Sequence, residues 1–179
     1  MALTATMYHL RIELSDVDRG VYEQLDLRLA RHPSEAARYL FTRTIAYCLF
    51  YEEGIAFSRG LAASEEPAVW LKTLDGRLKL SIEVGTPSVE RLHKASKAAE
   101  RLVVFTHHDP ALLKRAVAGQ TIHHADQIEL YSLEPALLDA LEKATGRDAR
   151  WGLVRTGGQL YFTIGTQSIE GELTRHSLV

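Results

Sequence analysis

The chain has 179 residues, of which 46% are hydrophobic and 25% charged, with a formal net charge of −2 and one cysteine. That length supports one well-buried core, and the charge balance excludes a broadly basic nucleic-acid binder while leaving room for a local basic groove. The lone thiol, Cys48, excludes an internal disulfide framework and leaves no basis for a disulfide-linked partner.

No apolar run approaches the roughly 20 residues needed to cross a bilayer. The opening "MALTATMYHLRIEL" lacks the charged head and long apolar core of a secretion signal. The expectation is a soluble, cytoplasmic protein with no membrane partner.

In chain order, residues 5–14 alternate, with Tyr8, Leu10, Ile12 and Leu14 opposite Met7, His9, Arg11 and Glu13. Residues 21–29 alternate again after the turn-rich "SDVDRG", so the spacing predicts a β-hairpin. "RHPSEAARYLFTRTIAYCLFYEE" predicts a helix capped by Ser34 and stopped at Gly54, with Tyr39, Leu40, Ile45 and Leu49 on one face. Glu35 then falls in the first turn, where a carboxylate favours the helix dipole without any further role. Cys48 lies on the apolar part of this helix as a buried, inert thiol.

"AVWLKT" predicts a short strand, "LDGR" a turn, and residues 78–84 a second strand ending at Gly85 and Pro87. "PSVERLHKASKAAERL" predicts a helix opened by Pro87 and Ser88. "RLVVFT" is a continuous apolar run of the kind buried on both faces. Helix 109–118, strand 127–132 and helix 134–144 follow, then two strands around Gly157-Gly158 and a last strand in "SIEGELT". The whole reads as one α/β domain over residues 1–179. Its mixed β-sheet is flanked by helices, with strands 78–84, 101–106 and 127–132 parallel and extra N- and C-terminal hairpins.

The chain contains no G-x-G-x-x-G, P-loop, H-E-x-x-H, G-x-S-x-G or C-x-x-C pattern, which removes the corresponding function classes on motif grounds. His107-His108 and His123-His124 stand beside Asp109 and Asp126. Adjacent histidines diverge, so polar loop residues are the default reading. Carboxylates are the better lead. Glu65 and Glu66 precede Pro67 at the mouth of one strand, and Glu83 ends the next. If the strands are neighbours, Glu66 and Glu83 could share one Mg²⁺, with Lys94 on the following helix.

"RHPSE" (31–35), "RGL" (59–61), "EEPAVWL" (65–71), "IEVGTP" (82–87) and "ERLHKA" (90–95) resemble, in that order, the YaeQ family of bacterial proteins, over residues 1 to 107. The resemblance implies a restriction-endonuclease-like core of the PD-(D/E)XK superfamily. There an acid and an E-x-K hold Mg²⁺ for cleavage of nucleic acid. Carried over, Glu83 is the E-x-K glutamate, Glu66 the upstream acid, and Lys94 the lysine displaced from the position held here by Gly85. Glu35 is an additional carboxylate. In the nuclease reading Arg31, Arg59 and Arg91 contact phosphates, with structural salt bridges as the equal alternative for Arg31 and Arg59. Lys79 stands where the family usually carries an acid, and Ser81 where it carries tryptophan. Two readings follow: a Mg²⁺-dependent nuclease, with Lys79 or Lys94 assisting the water, or a catalytically inactive module binding nucleic acid or protein.

Overall fold

The computed structural model describes residues 4–59 and 65–179, so most of the "RGL" motif lies outside the described residues. Contacts divide the chain into two compact units, one of residues up to Phe41 with Leu133–Leu173, the other of Thr42–Ser132 with Thr174–Val179. Among the described residues there are ten strands and four α-helices, a mixed α/β fold. None of those helices is long and apolar enough to cross a membrane.

The first unit is built on the predicted hairpin. β1 (Thr6–Asp16) and β2 (Val21–Arg31) pair antiparallel over their whole length. β1 also pairs in parallel with β8 (Asp148–Thr156), which turns at Gly157-Gly158 into β9 (Gln159–Ile164), and β9 pairs with β10 (Gln167–Ser177). The order is β2-β1-β8-β9-β10. Alternation sends Leu10, Ile12, Leu14, Leu153, Leu160 and Phe162 to the buried face. Trp151 packs between Phe41 and Phe162, at 5.7 and 5.3 Å between ring centroids, and its indole N–H donates to Thr145 Oγ1 at 3.1 Å. α4 (Pro135–Ala144) adds Leu137, Leu138 and Leu141 to this core.

α1 (Ala37–Leu49) begins later than the pattern predicts, and Ser34 is not its cap. The Ser34 hydroxyl bonds His32 Nδ1 at 2.8 Å instead, and the Glu35 carboxylate accepts from the His32 N–H at 3.2 Å. The side chains that would cap the helix close a turn before it.

In the second unit the strands run β7-β6-β5-β4-β3. These are β3 (Ala56–Phe57), β4 (Val69–Lys72), β5 (Leu78–Val84), β6 (Ala99–Thr106) and β7 (Glu129–Leu133). β5, β6 and β7 are parallel, as expected, and β4 is antiparallel to β5. Leu102, Val104 and Leu130 of the sheet bury against Leu92 of α2 (Val89–Ala98) and Leu113 and Val117 of α3 (Pro110–Val117). α2 stops four residues short of its predicted end because pairing of β6 with β5 already begins at Ala99, opposite Leu78. Tertiary pairing there overrides the helical tendency of "KAAERL".

Candidate functional site around Glu83

β5 is a central strand, with β4 on one side and β6 on the other, so its residues 80–83 are buried whichever face they point to. Ser81 is 1% and Glu83 6% exposed. A carboxylate so far from water must find a cation or a proton.

Local chemistry brings the cation. The chain leaves β5 at Gly85, whose φ of +95° is a conformation that glycine adopts and a side chain resists. Its N–H bonds the Phe105 carbonyl at 2.8 Å. Ser88 then caps α2, its hydroxyl accepting from the Arg91 N–H at 3.1 Å. This abrupt strand-to-helix turn lays the first turn of α2 back over the end of β5. Arg91 Nε donates to Glu83 Oε2 at 2.7 Å, and its Nη2 donates to the Glu66 main-chain carbonyl at 2.9 Å. Burial nevertheless outweighs the guanidinium and leaves the Glu83 carboxyl above the ordinary glutamate range. Any side chain at residue 85 would be strained in that conformation.

The other expected residues are drawn elsewhere. The Glu66 carboxylate accepts from Arg59, from its backbone N–H at 3.1 Å and from its guanidinium at 2.9 and 3.2 Å. Those bonds, the backbone one first, hold Glu66 below the usual carboxylate range. Lys94 pairs with Glu65 at 2.9 Å, both fully in solvent, and Lys79 pairs with Glu52 at 2.6 Å. The structure thus brings Glu83, Arg91 and the Glu66 backbone together, while the Glu66 carboxylate, Lys94 and Lys79 each serve a separate pair. Arg31 and Glu35 belong to the first unit. There Arg31 donates to the Glu35 carbonyl at 2.8 Å and to the Tyr8 hydroxyl at 3.4 Å.

His107 follows β6, its ring 3.7 Å from where a Cβ on Gly85 would lie and 4.1 Å from that of His108 between centroids. Asp109 caps α3, accepting from the Ala111 N–H at 2.9 Å. Among the described residues no three His, Cys, Asp or Glu side chains form a group able to hold a metal ion.

One charged network escaped the sequence reading. Glu129, 8% exposed on β7, accepts both Nε and Nη2 of Arg101 at 2.5 and 2.9 Å, and the Tyr131 hydroxyl at 3.2 Å. Arg175 approaches to 3.7 Å, and the Arg101 guanidinium lies 5.0 Å over the Phe50 ring. Burial pushes Glu129 up, but the bidentate arginine, the hydroxyl and Arg175 together hold it below the usual carboxylate range. The signal was a glutamate and a tyrosine two apart on a short strand that also carries Leu130, Ser132 and Leu133.

A family model described as "YaeQ protein" matches residues 1–173. The chain is 37% identical to the YaeQ protein of Escherichia coli (strain K12) over 111 residues, which is 62% of this chain and 61% of that relative. The match to the Salmonella typhi YaeQ protein has the same extent at 36% identity, so the similarity spans less than two thirds of these relatives. The crystal structure of YaeQ from Xanthomonas axonopodis pv. citri superposes with a TM-score of 0.88 at 26% identity, covering 97% of this chain and 99% of that one. The YaeQ structure from Pseudomonas syringae gives 0.84 at 31% identity, with 96% and 95% covered.

Proposed function

The chain belongs to the YaeQ family, and from that premise we propose that it acts as a non-hydrolytic binding or regulatory module on a framework akin to the PD-(D/E)XK nucleases. One observation carries the reading. The two oxygens best placed for a hard cation, Glu83 Oε2 and the Glu66 carbonyl, already share the Arg91 guanidinium. Mg²⁺ demands oxygen ligands at about 2.1 Å in near-octahedral array. The present arrangement does not fit it: the guanidinium fills the space between the oxygens, and the Glu66 carboxylate is turned to Arg59. A fixed cation can neutralise the buried carboxylate and hold α2 to the sheet, but it supplies no activated water. The arginines expected to meet phosphates are tied to internal acceptors, which with the net charge of −2 favours a protein partner over nucleic acid.

A Mg²⁺-dependent phosphodiesterase is the second reading, favoured by the position of Glu83 at the carboxyl end of a strand within a parallel set, where open α/β sheets place their ligands. It requires Arg91 to withdraw. Titrating Mg²⁺ and Mn²⁺ calorimetrically into native protein and Glu83→Ala, alongside digestion of plasmid and single-stranded DNA and RNA, separates the two. The module reading expects no Glu83-dependent heat and no cleavage. Cleavage that requires both the metal and Glu83 overturns it.

A further inference from the structure

We propose that the polar pocket between the C-terminal end of α2, the start of β6 and residues 123–128 binds a small phosphomonoester, with Lys97, His123 and His124 as its anion-holding side chains. The pocket lies wholly within the second unit, has a volume of about 450 Å³, and includes Ser96, Arg101 and Gln127 in its wall. It shares no residue with the Glu83 site, so the inference stands independently of the preceding reading.

Three observations converge. The first is charge. Of the ionic groups in the wall, Glu100 is paired with Arg77 at 3.1 Å and Arg101 is committed to Glu129. Among the described residues, Lys97 is left without an ion pair and lines the same pocket as His123 and His124. The second is backbone conformation. His124 sits at φ 46°, ψ 45°, the one positive φ at a non-glycine among the described residues. Its carbonyl accepts from the Gln127 N–H at 2.9 Å, so the following turn holds the conformation. Non-glycine residues held in this region recur at ligand clamps. The third is how the loop is anchored. The His123 N–H donates to His93 Nδ1 at 3.2 Å, tying the loop to α2 and leaving His93 Nε2 to carry the ring proton. The His123 and His124 rings then meet at 4.0 Å between centroids.

Two imidazoles and an ammonium on one small cavity repel one another once protonated. Burial, then His124, Lys97 and His93, all push His123 below the ordinary histidine range. A dianion in the pocket removes that repulsion and accepts hydrogen bonds from all three side chains. The volume exceeds the needs of a bare phosphate and falls in the range of small-molecule sites. Leu102 and Ile128 supply apolar wall for an organic portion.

The test is histidine side-chain NMR of the whole protein, with glycerol phosphate and inorganic phosphate as separate probes and chloride as the ionic-strength control. Expected are saturable shifts confined to His123 and His124, a rise of the His123 pKa on binding, and tighter binding of glycerol phosphate than of phosphate. Lys97→Gln, an exposed change that leaves the fold intact, should weaken binding at least about tenfold. Equal affinity for the two probes overturns the phosphomonoester assignment in favour of free phosphate. Shifts that chloride reproduces, or that Lys97→Gln leaves unchanged, overturn the site.

Discussion

Arg91 Nε lies 2.7 Å from Glu83 Oε2 while its Nη2 donates to the Glu66 carbonyl at 2.9 Å, so one guanidinium ties the first turn of α2 both to the end of β5 and to the segment leading into β4. Two kinds of cost attach to this link. Removing the arginine strands a buried carboxylate and an orphaned carbonyl. Removing only the carboxylate's charge leaves an oxygen that still accepts the bond. Arg91→Ala should therefore destabilise the protein by about 2–3 kcal/mol, the range for losing a charged partner of a buried group. Glu83→Gln should cost under about 1 kcal/mol. Urea unfolding of the two variants checks the order. If Glu83→Gln costs as much as Arg91→Ala, ionic attraction outweighs burial at this site.

Acid stability separates Glu83 from Glu129 by sign. The folded pKa of Glu129 lies below the usual range despite burial, because Arg101, Tyr131 and Arg175 favour its charge. Its contribution is therefore present above the unfolded glutamate pKa of about 4.3 and fades as pH falls through the folded value. The folded pKa of Glu83 is raised, chiefly by burial, so its contribution is present below the unfolded pKa and is lost as pH rises through the folded one. Melting temperature followed from neutral to acid pH should show native protein and Glu129→Gln converging as the pH drops. The difference between native protein and Glu83→Gln should shift in favour of the native protein over the same interval. Parallel curves for either variant would contradict the corresponding assignment.

Cys48 is fully buried on α1, and burial alone pushes its thiol well above the ordinary cysteine range. The thiolate is the reactive form. Labelling by a thiol reagent should accordingly be negligible in the native protein and should accelerate in urea in step with global unfolding. Rapid labelling without denaturant would show local opening of α1.

The elements were legible where pattern and local chemistry agree. The β1–β2 hairpin, the parallel β5, β6 and β7, and the opening of α2 at Ser88 follow from alternation, apolar runs and capping residues. Ser34 misled because a histidine two residues earlier competes for its hydroxyl, a contact that spacing does not encode. Glu83 was legible as the leading carboxylate near the end of its strand, yet neither its burial nor its partner was. Arg91 and Lys94 both lie on the helix that follows β5, and only the sharp exit at Gly85 decides which cation reaches back. Glu129 stayed hidden because its arginines come from strands whose adjacency is a property of the fold.

Gly171 on β10 faces α4 so closely that a Cβ there would lie 2.7 Å from Leu137 Cβ and 3.0 Å from its Cδ2. The nearest atom is the root of the side chain, so no rotamer change relieves the clash, and either the helix or the strand must move. Gly171→Ala should cost about 1–3 kcal/mol, as overpacking of a closed contact does. Gly146, just before β8, is the control: a Cβ there meets nothing within 4 Å, and its φ lies outside the positive region. Gly146→Ala should be neutral or stabilise by about 0.4–1 kcal/mol, through lost freedom of the unfolded chain. Denaturant midpoints of the two variants, compared at unchanged m-values, check the contrast. A Gly171→Ala midpoint equal to the native one would mean that α4 shifts freely on β10, and the close approach would then be no determinant of stability.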